Sequence, residues 1–299
     1  MPQYLTIDIG GTNIKFAVMD ENAQISEQGE IPTPQTDFDE FVEAIGSIYD
    51  RYAGTIEAIA MSAPGRIDAA KGYFFTSGAL KYIAPRDMTA VMKERCPVPF
   101  CMENDAKAAA LAELWKGSMQ GINNGIVMTL GTGIGGAVII NGKLYRGTTF
   151  AAGEFSGIST RWQETYDSDV TWSESQSTKG LVNRYSASLE EPEEEMNGRI
   201  FFERVNAGDE NALKVLEDYC TGLATGLYSL QLALDVQKAA IGGGISRQPL
   251  LIECVNRKME EIFAEQPMTP ASRPEIVSCQ FGNDANLIGA LYHYLYEFR

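Results

Sequence analysis

The stretch LTIDIGGTNIKFAVMDENAQI, residues 5–25, has a pattern that returns in IVMTLGTGIGGAVIINGKL, residues 126–144. Each stretch contains an apolar run, a tight turn of glycine and threonine, a second apolar run and a polar turn. Two runs rich in β-branched and apolar residues, joined by so short a turn, predict a β-hairpin. The chain therefore carries two loosely similar hairpins about 120 residues apart along its 299 residues.

The segments outside these hairpins alternate between strand and helix patterns. Helices are predicted by apolar residues three and four positions apart, or by alanine content, at 37–53, 106–117, 208–235 and 285–298. Buried strands are predicted at 55–65, 99–105 and 238–246, and the last of these leads into a glycine turn and a helix through Ile262. Alternating strands and helices, with a hairpin opening each half, predict an α/β fold with mixed rather than all-parallel sheets.

Composition and charge exclude several classes of protein. A hydrophobic fraction of 44% with 21% charged residues is typical of a folded globular chain, and 299 residues suffice for two domains. The net charge of -16 opposes binding to nucleic acid and to anionic membrane surfaces. No apolar run approaches the roughly 20 residues that a membrane span requires, and the N-terminus lacks a signal-peptide pattern. We therefore expect a cytoplasmic protein without nucleic acid or membrane partners.

The cysteines and the polar middle of the chain carry no recognisable metal or disulfide pattern. The five cysteines include no C-x-x-C pair, which argues against a disulfide framework and against a zinc cluster. Residues 160–198 are polar and predict no clear element, and their acidic run SLEEPEEEM, residues 188–196, is expected to be a solvated loop.

The turns of the two hairpins are suited to binding phosphate. Glycine lets a phosphate approach the backbone amides, and a threonine hydroxyl adds a further donor. Gly131, Gly133 and Gly136 also fit G-x-G-x-x-G, but a strand rather than a helix follows them, which argues against a dinucleotide-binding site. A third glycine cluster, 242–244, runs from a strand toward a helix and suits a flat nucleobase and its ribose.

One carboxylate is a candidate general base. Asn104 and Asp105 end an apolar strand and begin an alanine-rich helix, where the helix dipole orients them. Asp105 is suited to accept a proton from a hydroxyl that attacks a γ-phosphate, with Asn104 holding the same substrate. The competing interpretation is that Asp105 only caps the helix.

An ordered set of motifs, spread over most of the chain, resembles the ROK family of sugar kinases. The motifs are DIGGTNIK (8–15), ENDAKAAALAE (103–113), LGTGIGGAVI (130–139), AAGE (151–154) and IGGGIS (241–246). The resemblance implies the two-lobed, actin-like (ribonuclease H-like) ATPase fold with an active-site cleft between the lobes. It would explain the repeated hairpin, because each lobe of that fold begins with one. The implied smaller lobe is 1–117 plus 284–299, with the first phosphate loop and the general base. The implied larger lobe is 118–283, with the second phosphate loop and the adenosine segment.

The resemblance also implies a role for individual residues. ATP phosphates are implied to bind Gly10, Gly11, Thr12, Lys15, Gly131, Thr132 and Gly133, and adenosine to bind Gly242, Gly243 and Gly244. Asp8 is the implied partner of a hydrated Mg²⁺ ion. Asp105 is the implied general base for a sugar hydroxyl, usually O6, and the implied sugar-binding residues are Asn104, Glu154, Gly65 and Gly78. A homodimer is also implied.

Two departures from the family pattern concern the sugar and zinc. Family members commonly continue from AAGE into a Gly-His pair and a Cys-rich zinc motif, whereas this chain reads GEFSGISTRWQETYDSDVTW and has its only histidine at His293. SGAL, residues 77–80, lacks an asparagine often found there. These departures favour a kinase without zinc that accepts a substituted sugar, such as a β-glucoside or disaccharide. A catalytically silent sugar sensor of the same fold remains the alternative, and an actin-like or chaperone ATPase is a further one.

Overall fold

The protein is described from a computed structural model that covers residues 1–161, 163–189, 195–269 and 271–299. These residues form two compact units. The first contains Met1–Lys116, Gly147–Ala151 and Asn283–Arg299, and the second contains Gly117–Arg146 and Ala152–Gly282. Most of the acidic run expected to be a solvated loop lies outside the described residues.

The elements follow one another in the order that the sequence patterns predict, with several short additions. The strands are β1 (Gln3–Ile9), β2 (Asn13–Asp20), β3 (Ile25–Pro32), β4 (Ala58–Ala63), β5 (Ile67–Asp68), β6 (Tyr73–Phe74), β7 (Arg86–Asp87), β8 (Phe100–Asn104), β9 (Gly125–Leu130), β10 (Ile134–Ile140), β11 (Lys143–Tyr145), β12 (Lys238–Gly243) and β13 (Glu275–Ser278). The helices are α1 (Phe38–Asp50), α2 (Met88–Arg95), α3 (Asp105–Lys116), α4 (Trp172–Gln176), α5 (Thr178–Ser186), α6 (Gly198–Asn206), α7 (Glu210–Leu234), α8 (Pro249–Glu265) and α9 (Ala285–His293).

The first unit is built on a five-stranded mixed sheet in the order β3-β2-β1-β4-β8. β1 and β2 form the predicted antiparallel hairpin, and β4 and β8 then continue the sheet in parallel with β1. All six residues of β4 are buried, as a central parallel strand with both faces covered requires. Helices α3 and α9 pack closely, since a Cβ added to Gly289 would overlap the Ala108 carbonyl. This close packing explains why α3 is so rich in alanine.

The second unit repeats that arrangement with a sheet in the order β11-β10-β9-β12-β13. β9 and β10 form the second predicted hairpin, and β12 and β13 run parallel to β9. Asn141 and Gly142, which join β10 to β11, have φ values of 54° and 71°, as a type I′ turn requires. The two similar stretches of sequence thus open two sheets of the same topology, and the α/β fold with mixed sheets is confirmed.

Some elements differ from the sequence-based expectations. Helix α8 begins only at Pro249, so Gly242–Gly244 lead into a turn and not directly into a helix N-terminus. The predicted final helix ends at His293, and a π-helical turn, Tyr294–Phe298, completes the chain. Within the described ranges, no helix is both long and apolar enough to cross a membrane.

Candidate functional site

Hydrogen bonds to its carbonyl oxygens fix the turn between β1 and β2. Thr33 donates its hydroxyl to the Gly10 carbonyl at 2.8 Å and its amide to the Thr12 carbonyl at 2.8 Å. Gln35 donates Nε2 to the Gly11 carbonyl at 2.9 Å. Gly11 and Thr12 are exposed, and their amides form no hydrogen bond within the described residues. The turn therefore presents donors outward, which is the arrangement that an anion requires.

The two glycines of this turn are needed for different reasons. A Cβ on Gly10 would lie 2.7 Å from the Asn13 carbonyl oxygen, so the tight turn itself requires glycine there. A Cβ on Gly11 would meet nothing within 4 Å, so no neighbouring protein atom requires glycine there. Gly10 therefore serves the turn, whereas Gly11 leaves open the approach to it.

Asp8 lies at the end of β1, beside the turn. Its Oδ1 accepts a hydrogen bond from Nδ2 of Asn286 at 3.0 Å, and Lys15 is its cross-strand partner on β2. Burial raises the pKa of Asp8, while the Asn286 amide, the Ser62 hydroxyl and the positive charge of Lys15 act to lower it. A carboxylate whose burial is only partly offset by its neighbours is suited to a bound cation.

Asn104 and Asp105 are joined by a local network at the end of β8. Asn104 Oδ1 accepts the Lys107 amide at 3.1 Å, so Asn104, and not Asp105, caps helix α3. Asn104 Nδ2 donates to Asp105 Oδ1 and to the Gly65 carbonyl, each at 2.9 Å. The Asp105 carboxylate also accepts the Ala106 amide at 2.8 Å. Both donor hydrogens of Asn104 are thus engaged in orienting Asp105 and Gly65.

Gly65 and Gly78 lie on two segments that pack against each other. Gly65 has a φ of 103°, and a Cβ there would overlap the Thr76 carbonyl. A Cβ on Gly78, whose φ is 60°, would touch the Pro64 side chain at 3.4 Å. Because Gly65 also accepts from Asn104, the structure brings three of the four predicted substrate-binding residues together.

The predicted site residues of the first unit lie at the carboxyl ends of its parallel strands. Asp8 pairs with Ser62, and Asn104 pairs with Ala63, so the ends of β1, β4 and β8 lie side by side. The carboxyl ends of parallel strands are where α/β folds bind their ligands. The glycine turn, Asp8 and Asp105 are therefore positioned by the sheet itself.

A hydrogen bond to a carbonyl oxygen also fixes the turn between β9 and β10. Gly131 and Thr132 are exposed, and a Cβ on Gly131 would meet nothing within 4 Å. The Gly131 carbonyl accepts the Thr178 amide at 2.9 Å. A Cβ on Gly133 would lie 3.2 Å from Oγ of Ser173. The start of α5 and the short helix α4 thus support this turn, and no sequence pattern had assigned that role to residues 160–198.

The third glycine cluster lies directly beside the second turn. Gly243, at a φ of 96°, pairs with Leu130 of β9, and a Cβ there would overlap the Leu130 carbonyl. Gly242 pairs with Thr129, while a Cβ on Gly244 would meet nothing within 4 Å. The second unit therefore groups Gly131, Thr132 and Gly133 with Gly242, Gly243 and Gly244.

Glu154, the remaining predicted sugar-binding residue, is exposed in the second unit. The buried Gly153 before it has a φ of 86° and packs against Gly136 of β10.

Among the described residues, one group of three side chains lies close enough together to share a metal ion: Glu103, His293 and Glu297. His293 Nδ1 lies 2.9 Å from Glu297 Oε2, which is a hydrogen-bonding distance, and this group lies in the first unit.

Comparisons with known proteins show the family to which the chain belongs. The ROK family model matches residues 4–296, and the chain belongs to the ROK family. A β-glucoside kinase of Klebsiella pneumoniae is 32% identical over 96% of this chain and 94% of its own length. A ROK family protein from Streptococcus pneumoniae TIGR4, solved in complex with sucrose, superposes with a TM-score of 0.89 at 30% identity and covers 99% of this chain and 98% of its own. A ROK family glucokinase from Streptomyces griseus, solved with glucose and AMPPNP, has a TM-score of 0.81 at 26% identity and covers 97% of this chain and 98% of its own.

Proposed function

We propose that the protein is an ATP-dependent sugar kinase that transfers the γ-phosphate of MgATP to a hydroxyl, O6, of a hexose or hexoside. The observation that carries the proposal is that an oriented carboxylate, Asp105, and an outward-facing glycine turn follow the carboxyl ends of parallel strands in one sheet. Phosphoryl transfer requires a base for the attacking hydroxyl together with donors for the phosphates. The β-glucoside kinase and glucokinase relatives support the same reaction.

The two glycine turns are proposed to bind the phosphates of ATP. Gly10, Gly11, Thr12 and Lys15 act in the first turn, and Gly131, Thr132 and Gly133 in the second. Gly242, Gly243 and Gly244 bind the adenosine. We assign the first phosphate loop and the general base to a lobe formed by residues 1–117 and 284–299. The second phosphate loop and the adenosine-binding segment belong to a lobe formed by residues 118–283. The exposed, unobstructed positions of Gly11, Gly131 and Gly244 support these assignments.

Asp8 is proposed to hold Mg²⁺ through water, with its carboxylate oriented by Asn286. Its raised pKa fits this role, because burial disfavours the charged carboxylate and a nearby cation restores it. When bound, Mg²⁺ neutralises charge on the transferring phosphates. No zinc is required in this proposal, since the segment after Glu154 contains neither cysteine nor histidine up to Trp172.

Asp105 is proposed to accept the proton of the attacking hydroxyl. Glu154, Gly65 and Gly78 contact the sugar. Asn104, whose two donor hydrogens already bind Asp105 and Gly65, acts chiefly by orienting them. It contacts the sugar through the second lone pair of its carbonyl oxygen, which also accepts the Lys107 amide. The substrate is a β-glucoside or a disaccharide, in line with the Klebsiella relative and the sucrose complex of the Streptococcus protein. The enzyme acts in the cytoplasm as a homodimer.

A coupled assay for ADP release, with MgATP and a panel of sugars, tests the proposal. The panel includes glucose, mannose, N-acetylmannosamine, cellobiose, gentiobiose and sucrose, with enzyme that has been treated with EDTA and assayed with and without added zinc. ADP release that depends on one or a few sugars, and not on zinc, is the expected result. Sugar binding by calorimetry without ADP release would instead favour the sensor, and sugar-independent ATP turnover would favour an ATPase.

A further inference from the structure

An aromatic cluster of the first unit, which we call the aromatic platform, is separate from the residues assigned to ATP, Mg²⁺ and the reacting sugar. It consists of Tyr73, Phe75 and Phe150. The rings of Phe75 and Phe150 stack with their centroids 5.9 Å apart and an angle of 23° between their planes, and Tyr73 packs edge-on against Phe75 at 5.2 Å. Phe75 is 38% exposed, although large aromatic side chains are usually buried.

Phe150 is held on the platform by an unusual backbone. Its φ of 63° lies in the left-handed region, which a bulky residue rarely adopts. The segment Gly147–Ala151 belongs to the first unit, although the residues on both sides of it belong to the second. Strained conformations of this kind persist only where the surrounding structure enforces them, and they cluster at functional sites. The chain therefore places the Phe150 ring against Phe75 at the expense of local conformational preference.

The platform is connected to the candidate general base through a short series of contacts. Asn104 joins Asp105 to the Gly65 carbonyl, and Arg66 is the next residue. The Arg66 guanidinium lies 4.8 Å from the centre of the Phe75 ring, and the Phe75 amide donates to the Arg66 carbonyl at 2.9 Å. Nε of Arg66 is buried and has no hydrogen-bond partner in the described part of the chain. Arg66, which packs on the platform, therefore directly follows Gly65, whose carbonyl is hydrogen-bonded to Asn104.

We infer that the aromatic platform binds the second ring of the substrate, so that the preferred acceptor is a glycoside carrying a ring rather than a free hexose. A pyranose ring presents a face of C–H groups, which carry a small positive charge, and the face of an aromatic ring is negative. Phe75 is already packed against Phe150 and Arg66, so the partly exposed Phe150 is the ring that suits a sugar or aryl ring, supported by Phe75 and with Arg66 as a donor nearby. This inference rests on the proposed kinase activity and names its substrate class.

Two substitutions at Phe150 separate the ring from the backbone. Phe150→Gly removes the ring and tolerates the positive φ, whereas Phe150→Tyr keeps a ring of the same kind. Tyr296→Ala is the matched control, because Tyr296 is an exposed ring of the same unit that packs on Trp115 and Tyr292. For each variant, kcat/KM is measured with glucose and with the best of cellobiose, gentiobiose and sucrose. The affinity for the same sugars is measured by calorimetry without ATP.

We expect Phe150→Gly to lower kcat/KM for the disaccharide about 10-fold or more and to change that for glucose less than about 2-fold, as for the loss of one apolar contact in a pocket. Phe150→Tyr and Tyr296→Ala should leave the ratio of the two values near that of the native protein. Equal losses on both sugars, or no loss on either, would overturn the inference. If the native protein releases no ADP with any sugar, the kinase proposal fails, and calorimetry alone decides whether the platform binds the second ring.

Discussion

Asn104 donates Nδ2 to Asp105 Oδ1 at 2.9 Å while its own Oδ1 accepts the Lys107 amide at 3.1 Å. One buried side chain thus fixes the start of helix α3 and orients the neighbouring carboxylate. Since Asn104 supplies the cap, helix capping does not account for the carboxylate of Asp105, which Asn104 instead orients. The relationship also separates two effects that substitution of Asn104 would otherwise mix.

Replacing Asn104 with serine or alanine distinguishes capping from orientation. Serine keeps an oxygen that can cap α3 but loses both amide donors, whereas alanine loses all three interactions. We expect Asn104→Ala to lower the free energy of unfolding by about 1–2 kcal/mol more than Asn104→Ser, as for other lost caps. Both variants should have a strongly reduced kcat. Urea unfolding and steady-state kinetics measure the two effects. Wild-type turnover in Asn104→Ser would show that the amide donors do not orient Asp105.

Gly10→Ala and Gly11→Ala test the first glycine turn as a matched pair. The Cβ at position 10 would press on the Asn13 carbonyl, so we expect Gly10→Ala to cost about 1–3 kcal/mol of stability. The Cβ at position 11 meets no protein atom within 4 Å, so Gly11→Ala should unfold near the wild-type temperature but have a raised KM for ATP. Thermal unfolding and ATP kinetics would check both. An unchanged KM in Gly11→Ala would argue against phosphate binding at this turn.

Asp8→Asn tests the site proposed for hydrated Mg²⁺. Because burial raises the pKa of Asp8 in the folded protein, the folded state binds its proton more tightly than the unfolded state does. Stability is therefore lost as the pH rises from the ordinary carboxyl pKa of 3.8 through the raised folded value, and the loss is complete above it. We expect Asp8→Asn to be more stable than the wild type at pH 7 without ligand and nearly equal near pH 3.

The matching functional result is a smaller stabilisation by MgATP. In the wild type, bound Mg²⁺ should compensate the buried charge, so the melting temperature should rise more on adding MgATP than in Asp8→Asn. Activity of the variant should fall together with its response to Mg²⁺. If MgATP stabilises both proteins equally, Asp8 takes no part in binding the metal.

Most of the fold could be predicted from local sequence patterns, and there are physical reasons why some elements were missed. Helices α1 and α7 follow from apolar periodicity, because each buries one stripe. The hairpins follow from apolar runs joined by short turns. Helix α3, in which residues 106–113 are all buried, follows from its alanine content. Strand β3 was missed since its sequence, ISEQGEIP, is polar and largely exposed at the sheet edge. The two-residue strands β5–β7 are too short to leave a pattern, so they depend on tertiary contacts.

The candidate site was predictable only where its residues are consecutive in the chain. The glycine turns and the Asn104–Asp105 pair could be found in this way. Asn286, which orients Asp8 from 278 positions away, could not, and neither could Thr33 and Gln35 behind the first turn. The stacking of Phe75 on Phe150 likewise joins distant segments and has no sequence signal besides the residue types. Such pairings are set by the fold, and local spacing contains no information on them.

Single-turnover kinetics of the wild type and Asp105→Asn, with saturating MgATP and the best sugar of the panel, test the central claim most directly. The sugar phosphate is quantified in quenched samples, its position on the sugar is read by ³¹P NMR, and Asp39→Asn, at an exposed carboxylate on α1, is the control. We predict a phosphomonoester at O6, a rate in Asp105→Asn at least about 100-fold lower, and little change in sugar affinity, as for the loss of a general base. Rapid phosphoryl transfer by Asp105→Asn would contradict the account.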